Sequence, residues 1–480
     1  MTAVLAALLS GAMFYLSQGL DNVWALAWLA PVPLLWLAYG KTPTWQVVLA
    51  TVGALLAGAI YALQCYSTIP ATIILEVVGP QIVLFPVAIV FARFIQRHST
   101  PLATLFAFPA CWTALEFFSE FAAPNGTFGS LAYSQVSAPV LIQSASLFGL
   151  HAVTFLICLF ANTFAMTLRA RRDSALAIGL GVAICAANVV FGFLRLAQPQ
   201  RDTLRVAAMV DETAMVEAWH ARTLPQALVA SDAYANAIRR AAQQGAKFAV
   251  TPEGGIAVTS GLRSAILAPL AAVSKQTGVQ IIAGVYQKRP LGDLAYSLSP
   301  DGAVQQYSKR HLVPILENMF TPGHDSGWLG GGRAMEICKD MDFPNTIRHD
   351  AAKGVRLMGV PAGDFGKDAW LHARMAVVRG VEDGFALVRA ANEGLVTASD
   401  AEGRLVASKM DHPTGLTMIV VDLPLGPGTT LYARIGDVFE WFCAALVLLI
   451  VIYAIYGTKR LGEPALGMSD GSRPAQGSAP

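Results

Sequence analysis

The sequence predicts two structural classes in one chain: a polytopic α-helical membrane block, and an α/β domain inserted before the last transmembrane helix. Three observations predict it. Hydrophobic residues make up 54% of the 480 positions and charged residues 14%, with a mean hydropathy of +0.50; charged residues are normally about a quarter of a globular domain. The deficit is confined to residues 1–200, which hold about a dozen acidic and basic side chains, while the stretch from Arg201 to Asp437 has an ordinary balance. Within that second stretch, strand-like apolar runs alternate with helical ones.

A membrane-spanning helix needs about 20 apolar residues. Such segments are expected at 2–20, 23–40, 45–65, 71–95, 101–121, 140–168 and 174–194, with one more at 439–456. The first has no basic leader and no small-residue cleavage site, so it is expected to be a retained anchor. Lys41, Arg93, Arg97, Arg169, Arg171, Arg172, Lys459 and Arg460 all fall on one side of this arrangement, and the alternate loops carry no Lys or Arg. The positive-inside rule makes that side the cytoplasm and puts the α/β domain outside. The expected division is 1–198 (about seven helices), 199–437 (α/β domain), 438–457 (last helix) and 458–480, a Gly/Pro/Ser-rich disordered tail. The net charge of +2 gives no electrostatic case for nucleic acid. Eight scattered histidines show no ligand spacing, so neither a metal nor another cofactor is expected.

In the α/β domain, "LRVAAMV" (204–210), "KFAVT" (247–251), "VQIIAGV" (279–285), "AMEIC" (334–338), "VRLMGV" (355–360) and "FALVRAA" (385–391) read as buried strands. Stretches 224–244, 261–277, 344–353 and 368–383 read as helices, giving a layered α/β pattern. Three strand-end sites carry chemistry-bearing side chains. "TPEGG" places Glu253 where Pro252 and two glycines stop regular structure; "YSKRHLVPILEN" offers Lys309 and Glu317; "ICKD" offers Cys338, the cysteine of six that lies outside the long apolar segments. Taken singly, these read as a solvated carboxylate, a surface lysine and a small core residue. Together they supply a base, a cation for an oxyanion and a thiol nucleophile without histidine.

Glu253, Lys309 and Cys338, in the contexts "PE", "YxKxHLVPxxE" and "ICxDxxFP", resemble the Glu-Lys-Cys triad of the nitrilase (carbon-nitrogen hydrolase) superfamily, whose domain is an αββα sandwich. "WALAWLAPVPLLWLA" (24–38), "LAYSQVSAPVLIQSASLFGLHAVTFLICLFAN" (131–162), "WLHARMAVVRGVEDGFALVRAANEG" (370–394) and "LYARIGD" (431–437) are similar to segments of bacterial apolipoprotein N-acyltransferases. The resemblance implies Glu253 as general base, Lys309 as oxyanion stabiliser and Cys338 as nucleophile, with Glu317 positioning the lysine and substrate. It also implies supporting places for Trp219, Asp340, Asp364 and the membrane-segment acid Glu116. Asp340 stands where the family usually has Glu, and Lys339 where it usually has Tyr. The stretch from Glu317 to Cys338 is about half the implied length, and its "FTPG" (320–323) is closer to soluble nitrilases. "PAGDFGKDAW" (361–370) keeps the acid of the family's loop and loses its Asn.

The function so implied is transfer of a fatty acyl group from a phospholipid, through a Cys338 thioester, to the N-terminal amine of a diacylglyceryl-cysteine lipoprotein, in a bacterial inner membrane. Membrane lipids are then its surroundings as well as its donors. The alternatives are a membrane-tethered amide hydrolase using the same triad, favoured by the shortened stretch, and a degenerate domain serving as a binding partner. "ILENMF" (315–320), with Trp219 and Trp328, is the expected shield of a thioester from water. Sidedness is directly testable: reporter fusions after Arg171 and after Gln198 are predicted to read opposite compartments, and the same compartment for both would refute the seven-plus-one arrangement.

Overall fold

The computed structural model describes residues 1–67, 70–169, 173–199 and 202–460; Arg171, Arg172 and the tail from residue 461 onward lie outside the described residues. The N-terminal block consists of α1 (Thr2–Gln18), α2 (Leu26–Leu29), α3 (Val32–Ala38), α4 (Thr44–Gly58), α5 (Ile60–Cys65), α6 (Ala71–His98), α7 (Pro101–Ala122), α8 (Ala145–Phe148), α9 (Leu150–Leu168) and α10 (Ala175–Leu196). Among the described residues, six helices are long and apolar enough to cross a membrane: Thr44–Cys65, Ala71–His98, Pro101–Phe121, Leu150–Leu168, Ala175–Leu196 and Val438–Ile455. The chain is a multi-pass membrane protein. The first two expected spans are shorter apolar helices, and the second breaks where Pro31 and Pro33 interrupt the backbone ladder.

The segment expected as a span from 140 is corrected to a helix starting at Leu150. Residues 131–148 form short helical turns, and Gly149 (φ +76°, ψ 180°) ends them in an extended conformation that favours glycine. A side chain at Gly149 would also strike the Tyr432 ring, at 2.6 Å from its Cβ.

The α/β domain runs β1 (Thr203–Asp211), α11 (Glu212–His220), α12 (Leu224–Gln243), β2 (Phe248–Val250), β3 (Ile256–Val258), α13 (Arg263–Thr277), β4 (Gln280–Lys288), β5 (Leu291–Leu298), β6 (Val304–Ser308), β7 (Trp328–Gly330), β8 (Arg333–Met335), α14 (Pro344–Ala351), β9 (Leu357–Gly363), α15 (Ala369–Asp383), β10 (Ala386–Asn392), β11 (Leu395–Ser399), β12 (Leu405–Met410) and β13 (Leu416–Pro424). Helices α16 (Leu431–Ile435) and α17 (Val438–Arg460) follow. One sheet has the order β13-β1-β2-β4-β5-β6, with β3 on β4; the other has the order β12-β11-β10-β9-β8-β7. The central pairs β1–β2, β2–β4, β8–β9 and β9–β10 are parallel, and this is why their sequences are continuously apolar rather than alternating.

The sheets pack face to face through Val206, Ala208, Phe248, Val250 and Ile282 on one side and Met335, Leu357, Ala386 and Val388 on the other. Helices α12 and α13 cover the outer face of the first sheet. Helices α14 and α15 cover the second, and there the core continues without a break into the membrane block. The result is an αββα sandwich whose second helical layer is the seam with the membrane helices.

Helix α15 makes that seam. Nearly all its residues are buried, including Arg374, Arg379, Glu382 and Asp383. Their partners lie far away in sequence: Arg374 donates to Asn22 and to the Gln18 carbonyl, Arg379 donates to the Tyr133 hydroxyl at 2.8 Å, and Glu382 accepts from the Leu150 N–H at 2.5 Å. Arg379 and Glu382 also pair at 2.7 Å, both fully buried. Breaking a buried pair by removing one partner costs about 3–5 kcal/mol, whereas an exposed pair contributes at most about 1 kcal/mol. Arg379→Met is therefore predicted to lower the thermal unfolding midpoint of the detergent-solubilised protein markedly. Arg205→Met, at the exposed Arg205–Asp422 pair, should leave it within error.

Candidate active site

Three strand ends converge between the two sheets. Glu253 follows β2; Pro252 precedes it and Gly254 (φ +62°) follows, in a turn so tight that a Cβ at Gly254 would lie 2.3 Å from the Tyr286 ring. The Glu253 N–H donates to the Ala362 carbonyl at 3.2 Å, tying this loop to the end of β9 on the opposite sheet. Lys309 follows β6, and its N–H donates to the Asp293 carbonyl on β5 at 3.0 Å. The strand expected to run to Cys338 ends at Met335, and Cys338 opens a 3-10 turn, Cys338–Asp342. Its φ of +42° is unusual for a residue with a side chain and sets the thiol on a sharp elbow. The Cys338 thiol donates to the Gly363 carbonyl at 3.3 Å.

The Lys309 ammonium is buried among three carboxylates: Glu253 at 2.7 Å, Glu317 at 2.7 Å and Asp293 at 3.3 Å. These acids also form the one cluster among the described residues with metal-ligand geometry, and the ammonium already sits in the place a cation would take. Glu317 accepts from the Val313 N–H at 2.7 Å, so the loop that carries it is pinned to the same centre.

Burial pushes the Glu253 carboxyl up, but the Lys309 ammonium together with hydrogen bonds from Asp293, Lys309 and Cys338 brings it below the usual carboxylate value. Asp293 goes the other way: burial, then the Glu253 charge, push it well up. The pair is thus driven apart, one carboxyl below the usual value and its neighbour above it, as expected for neighbouring carboxyls in unequal settings. Burial pulls Lys309 down, and its carboxylates overcome this and hold it well above the ordinary lysine value. Burial, followed by the Glu253 charge, pushes the Cys338 thiol well up against the opposing Lys309 and Arg389 cations. The resting site is Glu253 carboxylate, Lys309 ammonium and Cys338 thiol.

This centre forms one end of a cavity of about 240 Å³. Glu253, Glu317, Cys338, Gly363 and Asp364 line it from the α/β domain, and Ala62, Tyr66, Ile73, Ile74, Val77, Asn125 and Phe128 from the membrane block. The Cys338 thiol thus shares a cavity with apolar side chains of the membrane block.

Among the other residues expected at the site, Asp364 lines the cavity and accepts both guanidinium nitrogens of buried Arg389, whose charge acts on Cys338. Asp340 stands behind the elbow, accepting from the N–H groups of Arg310 and His311 and from the Tyr307 hydroxyl; it holds the Lys309 loop against the Cys338 turn. Trp219 is half-exposed and contacts the cavity only through Tyr286, at 5.8 Å between ring centroids. Trp328 is corrected: it lies on the outer strand β7, exposed, away from the cavity wall. Within "ILENMF", Leu316 lines the cavity while Ile315 and Met319 are exposed. Glu116 is buried in α7, in a separate crevice between α6 and α7. Sequence reading missed Asp293, although an acid in the apolar strand "LGDLAYSL" was a usable signal. It also missed Asn125, whose place depends on the tertiary seam.

A two-sheet αββα sandwich with this carboxylate, ammonium and thiol at its strand ends defines a protein of the nitrilase superfamily, here built onto membrane helices. The family model for the carbon-nitrogen hydrolase matches residues 231–426, and that for the apolipoprotein N-acyltransferase N-terminal domain matches residues 10–163. The chain is 25% identical to the apolipoprotein N-acyltransferase of Geobacter metallireducens over 92% of this chain and 93% of that one. It is 23% identical to the enzyme of the same name from Pasteurella multocida, over 96% and 97%. Among solved structures, an amidase from Nesterenkonia sp. aligns at 24% identity over 51% of this chain and 98% of its own, with a TM-score of 0.40. The chain belongs to the apolipoprotein N-acyltransferase family, and is an N-acyltransferase of the nitrilase superfamily.

The raised thiol gives a pH prediction. A thiol with a raised pKa stays protonated at neutral pH, so alkylation of Cys338 by a neutral haloacetamide should keep rising through pH 9. A plateau below pH 7, followed by peptide mapping, would mean a pre-formed thiolate and contradict this electrostatic reading.

Proposed function

We propose that the protein is an apolipoprotein N-acyltransferase working by ping-pong covalent catalysis with Glu253, Lys309 and Cys338. The reading is carried by one observation: the Cys338 thiol and the Glu253 carboxylate, which pairs with the Lys309 ammonium, line a cavity that the membrane block also walls with the apolar side chains of Ala62, Ile73, Ile74, Val77 and Phe128. An acyl chain is at home in such a channel, and water is not.

In the first half-reaction Glu253 takes the Cys338 proton as sulfur attacks the ester carbonyl of a phospholipid. Protonation of Glu253 weakens its hold on the Lys309 ammonium, which turns a donor toward the new oxyanion. Collapse breaks the ester C–O bond, Glu253 returns the proton to the leaving oxygen, and a lysophospholipid departs from the acyl thioester. In the second, the α-amine of a diacylglyceryl-cysteine attacks the thioester and Glu253 accepts its proton. The C–S bond breaks, the thiol is restored and the product is an amide. Glu317 and Asp293 hold Lys309 throughout, while Asp364 fixes Arg389 beside Cys338. The basic residues in alternate loops support the reading that the α/β domain works on the extracytoplasmic side of a bacterial inner membrane. Amide hydrolysis is the less favoured reading, since it gives the membrane-walled channel no task.

Purified protein given phospholipid alone should release little free fatty acid, and a diacylated lipopeptide with a free amine should then yield triacylated product. The N-acetylated lipopeptide should fail. Rapid fatty acid release that ignores lipopeptide would overturn the transferase reading. Glu253→Gln should slow acylation by about 10²–10⁴-fold, and Lys309→Met should cost about 3–4 kcal/mol of transition-state stabilisation. Substitution of the membrane cysteines should do little.

A further inference from the structure

Among the described residues that line the cavity, Lys339 is a buried cation that lacks a close carboxylate. Lys309 has three, Arg389 grips Asp364 with both terminal nitrogens, and His372 pairs with Asp368 at 2.8 Å. Lys339 differs. Its ammonium donates to the neutral Asn125 Oδ1 at 2.5 Å, and the carboxylate within reach, that of Asp342, is 4.0 Å away. Burial also pushes Asp342 up and Lys339 down, so the pair is poorly matched.

Asn125 supplies a second, independent observation. Its side chain is buried, with 6% of its surface exposed, and its Nδ2 has no hydrogen-bond partner. Both residues line the same cavity as Cys338, one from each side of the seam. A buried ammonium and a buried amide donor, both short of acceptors, cost folding free energy unless a ligand supplies oxygens.

We infer that Lys339 and Asn125 form a donor pair that binds the phosphodiester of the acyl donor, so the enzyme selects a phosphate-bearing diacylglycerol lipid over an uncharged one. This rests on the acyltransferase reading above. The chemistry agrees on three points. A compact ammonium is a good point-charge ligand for phosphate. A phosphodiester offers two oxygens, one for each donor. The scissile ester and the phosphate sit on one three-carbon glycerol, and Lys339 is the chain neighbour of the cysteine that attacks the ester.

The test is single-turnover acylation of Cys338, followed by intact mass, with phosphatidylglycerol, phosphatidylethanolamine and diacylglycerol carrying the same chains in detergent micelles. The wild type should acylate from both phospholipids faster than from diacylglycerol. Lys339→Met should lower that preference by about 10–100-fold, Lys339→Arg should retain it, and Asn125→Asp, which keeps the seam contact but adds a competing anion, should lower it. The wild-type ratio and Lys339→Arg serve even if the neutral variant does not fold. An unchanged ratio in Lys339→Met, an equal fall for all donors, or equal use of diacylglycerol by the wild type would overturn the inference. So would inorganic phosphate abolishing the wild-type preference at micellar lipid concentrations, which would make this a free-oxyanion site. Absence of any Cys338 acylation in the wild type would instead remove the acyltransferase reading, and the inference with it.

Discussion

One buried ammonium sets the chemistry of this molecule. Lys309 is fully enclosed and held by Glu253, Glu317 and Asp293 at 2.7, 2.7 and 3.3 Å. An unpaired charge in that place would be prohibitive, so the loops that bring the acids are constrained to meet there. Glu253 arrives from β2, Asp293 from β5 and Glu317 from the loop beyond β6, and each loses its partner if its strand shifts register. The same cage explains the unequal carboxyls and the protonated resting thiol. The ammonium donates to Glu253 and Glu317 and lies 3.3 Å from Asp293, so in the proposed reaction a proton taken up by Glu253 weakens one of the two hydrogen bonds that hold the lysine.

The second constraint is the seam. A soluble sandwich of this type would put the polar face of α15 into water; here Arg374, Arg379, Glu382 and Asp383 are buried against the membrane block. Thr127, in the loop after α7, clamps the turn that follows Cys338, its N–H and hydroxyl donating to the Asp342 carbonyl at 3.0 and 2.8 Å. Gly126 permits this close approach, since a Cβ there would lie 2.4 Å from that carbonyl. The Cys338 turn is therefore positioned by a loop of the membrane block as much as by its own sheet, and neither half builds the cavity alone.

Much of this was legible in the sequence, for physical reasons. Parallel strands β1, β2, β4, β9 and β10 are buried on both faces and so are continuously apolar, and the residues where they stop stand out. Glu253 stands out that way, Cys338 at the end of the short apolar run "AMEIC", and Lys309 and Glu317 in the polar loop "YSKRHLVPILEN"; the structure brings them together. Strands β3 and β7 are three residues each, too short for a periodic signal, and the antiparallel β5–β6 and β11–β12–β13 runs carry polar residues that read as loop. Asn125, and the burial of Arg379 and Glu382, were not legible, because their environment comes from segments far off in the chain. Trp328 was assigned by residue type alone, and its edge strand leaves it outside the site. The span boundary near residue 140 failed because apolar composition does not reveal that Pro139 and Gly149 divide the segment into short turns.

The central claim is that Cys338 carries the acyl group between two substrates. Intact-mass analysis of the protein purified from membranes, with hydroxylamine treatment and peptide mapping, tests it most directly. The account predicts a hydroxylamine-labile fatty acyl mass on Cys338 that is absent from Cys338→Ala. An acyl group found on one of the five membrane cysteines, or full transfer activity in Cys338→Ala, would contradict it.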